Sequence, residues 1–196
     1  GDFLCSRSHV LFWTNRKQTL PSGIDMELTR DEEEARDLLK TLVAIESYTP
    51  EGQDKLMDFI VDYAQVESLG HVRKVLYPEG SARSNTTPHP SNVVLYMGEV
   101  DPKDTTENYG FAAHGDTVEP HKDYKHLGIQ PLELRPDEDN PHIWQGLGAG
   151  DMKEAIVAML RAAKRLKVLM REQNLPKKAA PLYFITKEEE NSEGTH

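Results

Sequence analysis

The chain has 196 residues, 37% of them hydrophobic, which is enough for one globular domain with a sizeable core. Its 23 basic and 33 acidic residues give a net charge of −10, and this argues against nucleic acid as a partner because phosphate contacts need clustered Lys and Arg. Cys5 is the single cysteine, so a thiolate metal cluster is excluded and a cytoplasmic location is expected. No apolar run reaches the ~20 residues that span a bilayer, so no membrane partner is expected.

The first folded element is expected after a segment without clear pattern. Residues 1–27 show no hydrophobic period and are interpreted as a leader or poorly ordered segment, ahead of a folded part over 28–196. Thr29 and Glu32 form a capping-box pattern, and the apolar residues that follow recur at helical spacing. This predicts a first helix directly after Thr29.

A second helix and two strands are predicted next. Residues 48–52 contain proline and glycine and are expected to break the first helix. The apolar residues within 56–64 recur every three or four positions, which predicts a second helix ending near Gly70. Residues 72–76 and 92–97 are short β-prone runs, which predict strands.

The second half of the chain alternates strands with a long helix. Residues 109–113 predict a buried strand that delivers His114 at its carboxyl end. A hairpin-like excursion follows within 132–144, and Asp151 opens a helix with a broad apolar face. Residues 182–185 predict another buried strand. Helices that alternate with apolar strands indicate an α/β fold with a mostly parallel sheet flanked by helices.

Three clusters rich in acidic residues, one with a histidine, follow apolar or glycine-rich stretches, at residues 112–116, 148–153 and 186–190. In open α/β sheets, ligands bind beyond the carboxyl ends of the strands, so we expect these clusters to converge there. Neutral imidazole and carboxylate oxygens suit Zn²⁺, and one carboxylate can bridge two ions. The pattern predicts a hydrolytic metal site at this edge of the sheet.

Each cluster also has a plain structural interpretation. His114 fits a hydrogen-bonded residue at a strand end, although a neighbouring Asp116 is also what orients a metal-binding imidazole. Asp151 suits the N-cap or first turn of the long helix, where the helix dipole favours negative charge. The glutamates at 188–190 fit a solvated charged run. The glycines within 148–150 favour the ligand interpretation, because small residues let the backbone approach a ligand closely.

The order of the motifs is more specific than any one of them. It resembles the zinc metallopeptidases of the aminoacylase, acetylornithine deacetylase, succinyl-diaminopimelate desuccinylase and glutamate carboxypeptidase family. The match covers about residues 30–196. It is carried by residues 39–47, His114 and Asp116, residues 148–153, Glu188 and Glu189, and Ser192 with Gly194. The resemblance implies a zinc-exopeptidase-like fold, represented here by the N-terminal part of a catalytic domain, and an apparently truncated chain.

The resemblance implies a role for each matched residue. His114 would bind one zinc ion, Asp151 would bridge two, and Glu189 would bind the other. Glu188 would be the general base of a metal-assisted amide hydrolysis, and Asp116 would support His114. Two Zn²⁺ ions are expected for the complete site, with Co²⁺ as an alternative. The substrate would be a small N-acyl amino acid or peptide, and the resemblance leaves a homodimer of the full-length protein open.

Three points stay open from the sequence. The register of the glutamate run is chosen from the downstream positions of Ser192 and Gly194, and a shift by one residue would give the roles to Glu189 and Glu190. Lys187 and Glu154 stand where the family usually has other residues. The alternative functions are an inactive half-domain that acts as a metal-binding or interaction module, and a carboxylate-rich Mg²⁺ or Ca²⁺ domain, against which His114 argues.

Overall fold

The three-dimensional structure is a computed structural model. It describes residues 29–76, 91–97, 110–122, 124, 128, 130–140, 143–174 and 181–186. The segment predicted as a leader, residues 1–27, and the glutamates at 188–190 lie outside the described residues. No described helix is long and apolar enough to cross a membrane.

Helix α1 spans Arg30–Val43 and begins at the predicted capping box. The Thr29 hydroxyl accepts a hydrogen bond from the Glu32 N–H, and the Glu32 carboxylate accepts one from the Thr29 N–H at 2.8 Å. These bonds satisfy two backbone donors that the first helical turn leaves free. One face of the helix is buried, and it carries Leu38, Leu39, Leu42 and Val43. The prediction of a first helix is confirmed.

Helix α2 spans Pro50–Val66, so it begins inside the predicted break at 48–52. Proline suits a first helical position, and the Thr49 hydroxyl accepts a hydrogen bond from the Gly52 N–H at 3.0 Å. A Cβ on Gly52 would lie 1.9 Å from the Glu46 carbonyl oxygen, so this close approach requires glycine. The chain between α1 and α2 is therefore tightly packed against the start of α2.

The main sheet contains β1 (Gly70–Leu76), β2 (Ser91–Met97), β3 (Phe111–His114) and β6 (Pro181–Ile185), in the order β1-β2-β6-β3. The β1–β2 and β2–β6 pairs are antiparallel, and the β3–β6 pair is parallel. The α/β class is confirmed, but the prediction of a mostly parallel sheet is wrong for the described strands. A hydrophobic run predicts that a strand is present but not its direction, because the direction depends on the strand with which it pairs.

The hairpin-like excursion predicted within 132–144 is present as a small second sheet. It pairs β4 (Arg135–Pro136) with β5 (Trp144–Gln145) in antiparallel register. The Arg36 guanidinium of α1 lies 5.7 Å from the centre of the Trp144 ring, a distance that suits a cation–π contact. This contact joins the hairpin to the first helix.

Helix α3 spans Glu154–Glu172 and follows a short π-type turn at Ala149–Lys153. The predicted start at Asp151 is wrong by one turn, because Asp151 and Met152 have non-helical backbone angles. Arg161 on α3 forms ion pairs with Asp31 and Glu34 of α1. Together with the buried apolar faces, these pairs hold α3 against the first helix.

The hydrophobic core lies between one face of the sheet and the three helices. Its fully buried members come from every layer: Leu42, Val43, Leu56, Met57, Ile60, Ala64, Val93, Leu95, Ala149, Ile156, Leu160 and Phe184. Ala113 of β3 and Phe184 of β6 belong to this core, and the predicted site residues follow them at the carboxyl ends of the two strands.

Candidate metal centre

The carboxyl end of β3 is held by its parallel neighbour. His114 pairs with Ile185 of β6, and the Gly115 N–H continues the ladder by donating to the Ile185 carbonyl at 2.9 Å. A Cβ on Gly115 would lie 2.1 Å from Cδ2 of Leu56 and 3.3 Å from Cδ1 of Ile156. Glycine therefore lets the end of the strand press against two helices.

The strand itself is only partly buried, which corrects the prediction for 109–113. Phe111 is 60% exposed and Ala112 is exposed, whereas Ala113 and His114 are buried. The reason is its place in the sheet, since β3 is the last strand in the described order and packs against a described strand on one side alone. The prediction that the strand delivers His114 at its carboxyl end is confirmed.

His114 lies between two carboxylates and is 7% exposed. Its Nε2 atom is 3.1 Å from Oδ1 of Asp151. Its Nδ1 atom is 3.2 Å from the backbone carbonyl oxygen of Asp116 and 3.7 Å from Oδ1 of that residue. Asp116 is 1% exposed, so a buried carboxylate and its own carbonyl both face one ring nitrogen. The other ring nitrogen is left to face Asp151.

Asp151 does not cap α3, so the structural interpretation as an N-cap is wrong. The N-cap position belongs to Lys153, which makes no side-chain capping bond. Asp151 has φ −135° and ψ 93° within the preceding turn, and its side chain is 75% exposed. In this conformation its carboxylate lies against His114. Two residues that are distant in sequence are thereby brought together.

The His114–Asp151 pair fits a zinc ion. Bonds of ~2.0–2.2 Å at tetrahedral angles place two ligand atoms of one zinc ion ~3.3–3.6 Å apart, slightly more than the observed 3.1 Å between Nε2 and Oδ1. The donor types, imidazole nitrogen and carboxylate oxygen, are also those of hydrolytic zinc sites. Within the described residues, no group of three or more His, Cys, Asp and Glu side chains is arranged to hold a metal ion.

The remaining predicted residues follow β6. Glu188 and Glu189, and Glu190 of the alternative register, lie outside the described residues, so their predicted roles stay predictions. The last described residue before them is Thr186, which is fully buried and whose N–H donates to Oδ1 of Asn92 at 3.1 Å. The chain thus leaves β6 at the same edge of the sheet as His114.

Lys153 is a residue of the centre to which the sequence assigned no role. It is fully buried, and its Nζ atom donates to the backbone carbonyl of Ile45 at 3.1 Å. Burial lowers the pKa of Lys153 from 10.5 to about 8, because the charged form loses its hydration. Burial also raises the pKa of Glu154, and the charge of Asp151 adds to that effect. The sequence contains a signal for the burial of Lys153, because Lys153 lies at helical spacing from the buried Ile156 and Leu160.

Comparison with solved structures finds a similar fold in three proteins described as peptidases. Human carnosine dipeptidase 1 is 23% identical with a TM-score of 0.57, and the match covers 78% of this chain and 32% of that protein. The Dug1p di-peptidase from Saccharomyces cerevisiae is 17% identical with a TM-score of 0.58, and the match covers 84% of this chain and 34% of that protein. Aminopeptidase PepT from Bacillus cereus is 18% identical with a TM-score of 0.51, and the match covers 81% of this chain and 37% of that protein.

These matches show a shared fold. The chain spans about a third of the length of the solved proteins that it matches. No protein-family profile matches the chain, and no curated protein matches it significantly. The fold predicted from the family resemblance is therefore confirmed, and the activity has to be argued from the site.

Proposed function

We propose that this chain forms part of the catalytic domain of a zinc-dependent hydrolase that cleaves an amide bond in a small peptide or an N-acyl amino acid. The observation that carries the proposal is the 3.1 Å approach of His114 Nε2 to Asp151 Oδ1 at the carboxyl edge of a peptidase-like sheet. The fold supports a peptide or amide substrate, because the matched structures are those of dipeptidases and an aminopeptidase.

Zinc is favoured over Mg²⁺ or Ca²⁺ by the donor set. The hard ions prefer oxygen ligands alone, whereas the buried imidazole of His114 offers a nitrogen to the same position as Asp151. When bound, zinc would polarise a carbonyl oxygen and lower the pKa of water. The complete site is proposed to hold two ions, with Glu189 as a further ligand and Co²⁺ as an alternative metal.

The residues of the chain supply orientation and proton transfer. Asp116 holds the His114 ring from its buried side, so the Nε2 lone pair is presented to the metal position. Glu188 is proposed as the general base that takes the proton of the attacking water and passes it to the leaving amine. A cytoplasmic location is proposed with this activity, on the ground that the chain has a single cysteine.

The test is the zinc content of the purified chain and its hydrolytic activity. Zinc per chain is measured after dialysis against trace metal, for the unsubstituted chain and for His114→Ala and Asp151→Ala. The matched control is Asp62→Asn, which removes the charge of an exposed aspartate on α2. Bound zinc that both site variants lose and the control keeps is expected, with hydrolysis of dipeptides or N-acetyl amino acids.

Two other results would change the proposal. Zinc bound by His114 and Asp151 without hydrolysis of any of these substrates would favour the alternative, an inactive half-domain that acts as a metal-binding or interaction module. That alternative has support, because two ligand side chains alone converge within the described residues. A folded chain that binds no zinc would overturn the metal site itself.

A further inference from the structure

Within the described residues, the surroundings of Asp151 give its carboxylate little support. Its side chain is 75% exposed, and its contact at the site is the 3.1 Å approach to His114. A metal ligand has to be kept close to its bonding geometry by supporting groups. The position of the Asp151 carboxylate therefore depends on the backbone of the turn at Ala149–Lys153.

The turn is fixed at its first end by close packing. Gly148 has φ 68°, a left-handed conformation that favours glycine, and a Cβ there would lie 2.2 Å from Cγ2 of Thr117. The Gly148 carbonyl accepts a hydrogen bond from the Lys153 N–H at 2.9 Å, which closes the turn around Asp151. Gly148 is thus packed against Thr117, the residue that directly follows Asp116.

The second end is fixed by the side chain of Lys153. This side chain is fully buried, and its ammonium donates to the Ile45 carbonyl at 3.1 Å. Ile45 lies between α1 and α2, where its carbonyl also accepts the Ser47 N–H at 2.8 Å. The anchor is rigid, because the neighbouring Glu46 carbonyl approaches Gly52 too closely for any other residue there. Lys153 therefore connects the turn with the helical scaffold.

We infer that Lys153 is a positioning residue of the metal centre, whose buried ammonium ties the turn to the Ile45 carbonyl and so keeps Asp151 facing His114. Burial of a lysine costs free energy, so its presence beside an exposed ligand favours a role in geometry over one in stability. The inference rests on the proposed function. Lys153 would act through Asp151, since its ammonium is bound to the Ile45 carbonyl.

The test compares zinc affinities of the full chain. Lys153→Met keeps the length and removes the ammonium, and its zinc affinity is expected to fall about 10- to 100-fold, as for other supporting groups of metal ligands. The affinity is measured at pH 7 by competition with a chromogenic zinc chelator. The matched control is Val157→Ala, a truncation of a buried residue of α3 that lowers stability and leaves the ammonium of Lys153 in place. Its zinc affinity is expected to stay unchanged.

A measurement without metal checks the same geometry. Amide hydrogen exchange at Asp151 and Met152 is expected to be faster in Lys153→Met than in Val157→Ala, because the turn has lost its tether. Chemical rescue adds a third comparison, in which Lys153→Cys in a Cys5→Ser background is alkylated with 2-bromoethylamine. This restores an ammonium of nearly the same length, and zinc affinity is expected to return toward that of the unsubstituted chain.

The outcomes separate this inference from the proposed function. Equal zinc affinity in Lys153→Met and the unsubstituted chain would overturn the positioning role while leaving the metal site in place. An equal loss in Val157→Ala would overturn it as well, since general destabilisation would then explain the effect. Absence of zinc binding in the unsubstituted chain would overturn the proposed function first. Should Lys153→Met fail to fold, Lys153→Gln replaces it, because its shorter polar side chain ends before Ile45.

Discussion

The two sides of the candidate centre are held in opposite ways. His114 ends a strand, is 7% exposed, and is followed by a glycine that packs directly on Leu56 and Ile156. Asp151 lies on an irregular turn with its side chain 75% exposed. A strand end is positioned by ladder hydrogen bonds and core packing, whereas an exposed turn depends on its tethers. Substitutions at the strand end should therefore cost stability, and substitutions at the turn should cost binding.

The largest expected effect breaks the packing at the strand end. Gly115→Ala places a Cβ 2.1 Å from Cδ2 of the fully buried Leu56 and 3.3 Å from Cδ1 of the fully buried Ile156. We expect a loss of about 3 kcal/mol in the free energy of unfolding, as for other overpacked cores. Urea unfolding followed by circular dichroism measures it.

The control for this prediction lies just before the same strand. Gly110→Ala would meet the Tyr183 ring at 2.7 Å, and that ring is 40% exposed and can move aside. Its cost is expected to stay below about 1 kcal/mol. Equal losses for both glycines would show that the strand end is not specially packed.

The second prediction concerns binding at the turn. Asp151→Asn removes the negative charge from an exposed carboxylate, so we expect zinc affinity to fall about 100-fold, or about 2.8 kcal/mol of binding free energy. The free energy of unfolding should change by less than about 0.5 kcal/mol. Isothermal titration calorimetry and urea unfolding give the two values. Asp62→Asn should leave both unchanged, and a large loss of stability in Asp151→Asn would contradict the contrast between the two regions.

The third prediction uses pH to measure how much the burial of the Lys153 ammonium lowers the free energy of unfolding. The pKa of Lys153 is lowered to about 8 in the folded chain, from 10.5. Between these values the unfolded chain binds more protons, so the free energy of unfolding rises with pH, by up to ~1.4 kcal/mol per pH unit. Below pH 8 both states carry the charge, and the penalty is fully present.

Lys153→Met removes this titration. The difference in free energy of unfolding between it and the unsubstituted chain, both free of metal, should therefore shift in favour of lysine from pH 8 to pH 10. Urea unfolding at pH 7, 8, 9 and 10 measures the difference. Two parallel pH curves would mean that the burial of Lys153 carries no such penalty.

The smallest effect is expected at Thr117, which joins the two regions. Thr117 is 6% exposed, its Cγ2 packs where a Cβ of Gly148 would lie, and its hydroxyl has no hydrogen-bond partner within the described residues. Thr117→Val keeps the shape of the side chain and removes the buried hydroxyl. We therefore expect the free energy of unfolding, measured by thermal unfolding, to rise by about 1 kcal/mol. Thr41→Val is the control, because that exposed hydroxyl donates to the Asp37 carbonyl at 3.0 Å. A loss at Thr117 would show that its hydroxyl is bonded in the protein.

The elements that depend on neighbouring residues were predicted well. The capping box at Thr29 and the helical spacing after it correctly predict the start of α1, because capping is a bond between residues three apart. The strand that ends at His114 was found for the same reason, since a short apolar run bounded by glycine marks it. Its exposure at Phe111 was missed, because the sequence does not show which strand lies at the edge.

The residue types of the candidate metal site were chosen from the sequence, and their geometry was not. The sequence pointed to His114 at a strand end and to Asp151 at a predicted helix start, and the structure brings Nε2 and Oδ1 within 3.1 Å. The helix start was placed at Asp151 because an acid before an apolar helix is a typical N-cap. The turn that replaces it exists because Gly148 and Lys153 are held by residues far away in sequence.

The sequence by itself determined the α/β class, the helices and strands, and the chemical identity of the candidate ligands, because periodicity, caps and residue chemistry act over a few neighbouring positions. The tertiary structure alone decided the mixed direction of the sheet, the meeting of His114 with Asp151, and the reach of Lys153 to the Ile45 carbonyl. Each of these depends on chain segments that become neighbours only through burial of the shared core. Local patterns specify which groups are available, and packing specifies which of them meet.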